Sequence, residues 1–231
     1  LDPDQVKSSI HPDNFHYPRT AIIAIENTHN ATGGTPLTRE DTKVLADVAH
    51  QYDLPIHVDG ARLFDAAVAL ETPAAELVKD VDTVTFCLSK SLGAPVGSVL
   101  CGSNEFVNRA RRWRKVLGGG MRQVGVFAAA GIYALENNIN RLAEDHSNAR
   151  RLAKGLSEMS GISIDLDKVR TNLVFFEITK GNPSEISRKL SEKGVRGGSP
   201  EIRWRFVPHY GINSDDIDHA LDVIESVLGE Y

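Results

Sequence analysis

Residues 85–99 read T-F-C-L-S-K-S-L-G-A-P-V-G-S-V, and the rest of the chain is parsed outward from this stretch. Val84, Phe86 and Leu88 make an apolar strand running into Lys90, after which Ser91, Gly93, Pro95 and Gly97 stand where more core could follow. A lysine there has two readings: a solvated end to the strand, or an amine kept as a nucleophile. The surrounding pattern has to decide between them.

Short β-rich runs alternate with helical patterns on both sides, which predicts an α/β fold with a mostly parallel sheet. Residues 22–25 read as a buried strand. Residues 37–52 read as a helix with Val44, Leu45, Val48 and Ala49 on one face and Glu40 and Asp41 near its start, where the helix dipole favours acids. A strand at 56–58 runs into Asp59-Gly60-Ala61-Arg62, and two short helical patterns lead to the strand at 83–88. Residues 98–101 read as an antiparallel or edge strand. Residues 104–117 read as a helix burying Phe106, Val107, Ala110 and Trp113, ended by Gly118, Gly119 and Gly120. A long helical stretch from Met121 toward Met159 is expected to bend at Asn137, Asn138 and Asn140, and the domain boundary is placed there. This gives a large domain over 1–136 and a small α+β domain over 137–231. In the latter, strands at 162–166, 173–178 and 202–207 mix with helices at 183–193 and 214–228, the last repeating Ile217, Ala220, Leu221, Ile224 and Leu228.

Composition narrows the function. The chain has 231 residues, 41% hydrophobic and 25% charged, an ordinary globular balance. No run approaches a membrane span and the start has no apolar signal core, so a cytoplasmic protein with no membrane partner is expected. A formal net charge of −5 argues against nucleic acid. Arg109, Arg111, Arg112, Arg114, Lys115 and Arg122 nonetheless form one basic stretch, readable as a solvated helix face or as a holder of a small anion. Cys87 and Cys101 sit in apolar runs and are expected to be buried thiols. No metal site is evident.

In open α/β sheets, ligands sit at the carboxyl ends of strands. Here one strand delivers Asp59 and the next delivers Ser89 and Lys90. A carboxylate and a lysine at equivalent ends of neighbouring strands suggest pyridoxal 5'-phosphate: the lysine forms the Schiff base, and the carboxylate pairs with the pyridinium nitrogen and keeps it protonated.

Four segments, E-N-T-H-N at 26–30, H-V-D-G-A-R at 57–62, F-C-L-S-K-S-L-G-A-P-V-G-S-V at 86–99 and L-G-G-G-M-R-Q at 117–123, closely resemble low-specificity L-threonine aldolases. These are pyridoxal-phosphate enzymes of the aspartate-aminotransferase fold (fold type I). The resemblance runs the length of the chain, but roughly the first third of the family's chain has no counterpart. That portion carries a ring-stacking histidine and a phosphate-binding Gly-Thr turn, so an N-terminally truncated large domain is expected.

The resemblance implies Lys90 as the Schiff-base lysine and Asp59 as the pyridinium partner. It implies Arg62 as a contact to cofactor or substrate carboxylate, and Ser89, Lys115 and Arg122 around the phosphate, the last two often from an adjoining subunit. His16 matches a histidine acting on the substrate's β-hydroxyl. Arg205, in R-F-V-P-H, matches the arginine that grips the substrate carboxylate, with Pro208 where the family has threonine; Arg203, on the same strand face, is a rival. His29 and Asn30 are read as structural, fixing a turn beside the cofactor. The implied reaction is aldol cleavage of threonine or allo-threonine to glycine and acetaldehyde, in a homo-oligomer (a dimer of dimers) with shared sites. The alternatives are another enzyme of the fold, a β-eliminating lyase or an aminotransferase, or an inactive fragment that only associates with other subunits.

Overall fold

The computed structural model describes residues 1–198 and 203–231, which divide into two compact units. The first comprises residues 1–28 and 37–139, the second residues 29–36 and 140–231.

The first unit opens with helix α1 (Pro3–Ser9), capped by the Asp2 carboxylate, a helix the sequence pattern did not announce. Strand β1 (Ile23–Glu26), helix α2 (Arg39–Gln51), strand β2 (Ile56–Asp59), short helices α3 (Leu63–Ala69) and α4 (Ala74–Leu77) and strand β3 (Thr83–Cys87) then alternate. β1, β2 and β3 pair in parallel in that order. Strand β4 (Ser98–Cys101) returns antiparallel on β3 and is the outer strand, so both descriptions given by the sequence apply to it. α2 starts cleanly because Thr38 and Asp41 form a reciprocal capping box.

The core lies on one face of this sheet. Ile23, Ile25, Ile56, Val58 and Val84 point into it and meet Leu45, Ala46, Val48 and Ala49 of α2 and Leu63 and Ala66 of α3. Val44, expected on the buried face of α2, is exposed. The stripe that faces the sheet runs through Thr42, Leu45, Ala46 and Ala49, and Val44 falls just outside it.

Helices α5 (Asn104–Val116) and α6 (Gly125–Asn137) complete the unit. α5 buries no residue: Phe106, Val107 and Ala110 are half-covered and Trp113 is 63% exposed. Its apolar stripe is real, but among the described residues it lines an open groove with Leu100 and Leu117 instead of a core. Cys87 at the end of β3 and Cys101 on the outer strand β4, both expected to be buried, are likewise half-buried free thiols.

Beyond residues 29–36, the second unit continues with helix α7 (Leu142–Ser157), so the expected long helix is two helices separated at residues 138–141. Strands β5 (Ile162–Ser163), β6 (Val174–Ile178) and β7 (Trp204–Phe206) form an antiparallel sheet in that order, with helix α8 (Pro183–Glu192) between the last two. Ile202, expected to open the last strand, lies outside the described residues. Helix α9 (Ser214–Leu228) closes the chain, capped by Asn213 and Asp216. The core gathers Leu152 and Leu156 of α7, Val174 and Phe176 of β6, Trp204 and Phe206 of β7 and Ile217, Ile224 and Leu228 of α9.

Candidate active site

Parallel strands deliver their next residues to one edge of a sheet, and β2 and β3 deliver the two residues of interest. Along β2, Ile56 and Val58 point into the core, which puts His57 and Asp59 on the opposite face. Register pairs His57 with Thr83 and Asp59 with Thr85, and pairs Glu26 of β1 with Asp59. The face away from the core is therefore a polar stripe. His57 is fixed in it by both ring nitrogens, Nδ1 lying 2.8 Å from Thr83 Oγ1 and Nε2 3.4 Å from Thr85 Oγ1.

Asp59 ends β2 and is exposed; its Oδ1 accepts the Ala61 N–H at 3.0 Å, which orients the carboxylate. Gly60 follows because the backbones of β2 and β3 nearly touch. The Gly60 N–H donates to Thr85 O at 2.7 Å, and a Cβ at position 60 would stand 2.6 Å from that oxygen. Arg62, half-buried, occupies the N-cap position of α3.

Lys90 lies three residues beyond the end of β3, not at the strand end itself. The loop that carries it is closed by Leu88 N–H to Gly97 O at 2.9 Å, Ala94 N–H to Leu88 O at 2.9 Å and Gly93 N–H to Lys90 O at 2.8 Å. Gly93 and Gly97 take φ of +78° and +112°, which side chains disfavour. Ser91, Leu92 and Ala94 are buried, and Asn138 at the end of α6 donates to Leu92 O at 2.7 Å. Ser89 and Lys90 are exposed in this fastened loop, as are Gly93 and residues 95–97, and Ser89 Oγ lies 3.5 Å from Gly97 O.

The other expected residues of the first unit are spread more widely. Lys115 is in the last turn of α5, and Arg122 is exposed in the segment leading to α6. His16 is exposed in the irregular segment before β1, its ring 3.9 Å from that of Phe15.

In the second unit, Trp204 and Phe206 point into the core, so Arg203 and Arg205 share the other face of β7. They are differently employed. The Arg203 guanidinium lies over the Phe175 ring at 4.5 Å, whereas Arg205 Nη1 donates to Asn30 Oδ1 at 2.9 Å. The sequence pattern marks Asn30 only as part of a turn and does not announce its partnership with Arg205. No local pattern links positions 175 residues apart, and only the E-N-T-H-N motif marked the segment.

The model of the beta-eliminating lyase family matches residues 1–179. The chain is 42% identical over 218 residues to low-specificity L-threonine aldolase 1 of Arabidopsis thaliana, covering 92% of this chain and 60% of that protein. It is 41% identical over 215 residues to the low specificity L-threonine aldolase of Escherichia coli (strain K12), covering 93% and 62%. The chain thus spans about three-fifths of the length of these curated relatives. Among solved structures, a threonine aldolase of Leishmania major superposes with a TM-score of 0.80 at 18% identity, over 99% of this chain and 67% of that one. A PLP-dependent aminotransferase of Streptococcus suis superposes with a TM-score of 0.74 at 18% identity, over 100% and 61%. The α/β architecture is therefore the one these two enzymes share, and by the match across most of its length the chain belongs to the beta-eliminating lyase family.

Proposed function

We propose that this chain carries much of the active site of a pyridoxal-phosphate-dependent carbon–carbon lyase that cleaves threonine or allo-threonine to glycine and acetaldehyde. The observation that carries the reading is the exposed Asp59 carboxylate on the last residue of β2 and the exposed Lys90 amine three residues past the end of the adjacent parallel strand β3. Identities of 41–42% to proteins named low-specificity L-threonine aldolase support the choice of reaction.

The donor set fits the cofactor chemically. A carboxylate held by a backbone N–H suits a protonated ring nitrogen, and a primary amine on a fastened loop suits an aldehyde carbon. Once bound, pyridoxal phosphate supplies an electron sink for the carbanion that bond cleavage leaves. Asp59 keeps the ring nitrogen protonated. Ser89, Lys115 and Arg122 serve the phosphate, the last two toward the site of an adjoining subunit in a homo-oligomer, a dimer of dimers, and Arg62 contacts the cofactor or the substrate carboxylate. Arg205 grips the substrate carboxylate and so sets which bond is aligned for cleavage; Arg203, stacked on Phe175, is the lesser candidate. His16 takes the proton from the β-hydroxyl. Residues 1–136 belong to the large domain and 137–231 to the small one, in a cytoplasmic enzyme.

The test is glycine and acetaldehyde release from threonine by the cofactor-loaded protein and its Lys90→Ala variant. Release abolished in the variant supports the reading, and equal release from both contradicts it. The family description favours β-elimination as a second reading; release of ammonia and a keto acid without acetaldehyde would establish it instead.

A further inference from the structure

The loop that carries Lys90 is braced from outside by α6. Along this helix and its cap, Gly131, Ala134 and Asn138 fall on one face, three and four residues apart, and all three are buried. Gly131 meets Leu88, where an added Cβ would stand 2.9 Å from Leu88 Cδ1, and Asn138 meets Leu92, its Nδ2 donating to Leu92 O at 2.7 Å. The helix therefore touches the chain two residues before and two residues after Lys90. Asn138 is well placed to hold on: its own N–H still donates to Ala134 O at 2.9 Å, which fixes its backbone while the side chain reaches out. The neighbouring Asn137 is employed differently, being exposed with Nδ2 turned back onto Tyr133 O of the same helix at 2.9 Å.

The Leu92–Gly93 peptide carries the effect to Lys90. Its C=O accepts from Asn138, and its N–H donates to Lys90 O at 2.8 Å. The two groups lie at opposite ends of one trans planar unit, so fixing either end orients the other. A donor on the carbonyl also polarises the N–H and strengthens the bond it makes. The Lys90 stem is long and flexible, so the reach of its amine is set by how firmly its main chain is held. We infer that Asn138 is a positioning residue for Lys90, holding the lysine's backbone through the Leu92–Gly93 peptide. This rests on the reading of Lys90 as the amine that meets the cofactor aldehyde.

The experiment compares the parent with Asn138→Ala and Asn137→Ala. Hydrogen exchange and the thermal midpoint are measured without cofactor. The rate at which added pyridoxal phosphate becomes trapped on Lys90 by borohydride, and kcat and KM for threonine, are measured with it. In the parent, the Asn138 side-chain N–H and the Gly93 N–H are expected to open together, with protection within about threefold of each other. Asn138→Ala is expected to speed Gly93 exchange by about 10-fold or more, to slow trapping on Lys90 by about 10-fold and to lower kcat more than it raises KM. Asn137→Ala, which loses a bond at the same helix end, is expected to leave Gly93 exchange and trapping as in the parent. Free exchange of the Asn138 side chain in the parent overturns the inference without any variant having to fold. A lower thermal midpoint in Asn138→Ala with Gly93 exchange and trapping unchanged, or Asn137→Ala matching Asn138→Ala in both, overturns the role of Asn138 alone. A parent label on a lysine other than Lys90 overturns the reading of Lys90 and this inference with it.

Discussion

Gly60→Ala should loosen the strand end that carries Asp59. The added Cβ would stand 2.6 Å from Thr85 O and 3.0 Å from Leu63 Cβ, and the first of these is a backbone atom that no rotamer change can move. Relief requires β2 and β3 to part by several tenths of an ångström at their carboxyl ends. That stretches the 2.7 Å bond from Gly60 N–H to Thr85 O toward the limit of a hydrogen bond. Overpacking of this kind costs about 1–3 kcal/mol and a weakened backbone bond about 1 kcal/mol, while the lost glycine flexibility in the unfolded chain returns about 0.4–1 kcal/mol. The net expectation is about 1–3.5 kcal/mol. Native-state hydrogen exchange of the β2 amides reads it as about 5- to 300-fold faster opening of residues 56–60. Gly125→Ala is the internal control: nothing lies within 4 Å of a Cβ there, so the same change should leave exchange the same or slow it. Gly60→Ala exchanging as slowly as the parent would refute the close-approach argument.

Other perturbations act elsewhere. Phe176→Ala removes a ring that packs on Trp204 at 6.1 Å and Phe206 at 5.3 Å in the core of the second unit. It should cost about 3–5 kcal/mol, read from Trp204 fluorescence during urea unfolding in a Trp113→Phe background. An unchanged midpoint would show that this core is not where the stability of the unit resides. Burial alone would raise the Asp82 carboxyl, but bonds from the Ile56 N–H and the His50 ring outweigh it and hold it below the usual carboxylate value. A depressed folded value means that its stabilisation is full above the ordinary aspartate pKa and disappears as pH falls through the folded one, below about 4. The stability gap between Asp82→Asn and the parent should therefore close on acidification, and a gap constant down to pH 2 contradicts the assignment.

What the sequence shows of this fold depends on how local the cause is. The strands ending in Asp59 and leading to Lys90 are readable because apolar β-rich runs stop at glycine-rich turns, and the start of α2 is marked by the acids Glu40 and Asp41. The helix carrying Trp113 is readable as a helix, but its burial is not. A stripe of Phe106, Val107, Ala110 and Trp113 says which face is apolar and nothing about what covers it. Val44 was misplaced by one step around its helix, a difference too small for periodicity to resolve in thirteen residues. The bond between Asn30 and Arg205 depends on tertiary folding alone, so no window of sequence contains it.

The most direct test of the account is covalent trapping of the cofactor. Pyridoxal phosphate is added to the protein, the adduct is reduced with borohydride, and the labelled peptide is mapped by mass spectrometry. A single stoichiometric label on Lys90 is expected, much reduced when Asp59 is replaced by alanine. A label scattered over surface lysines, or concentrated on a lysine other than Lys90, would contradict it.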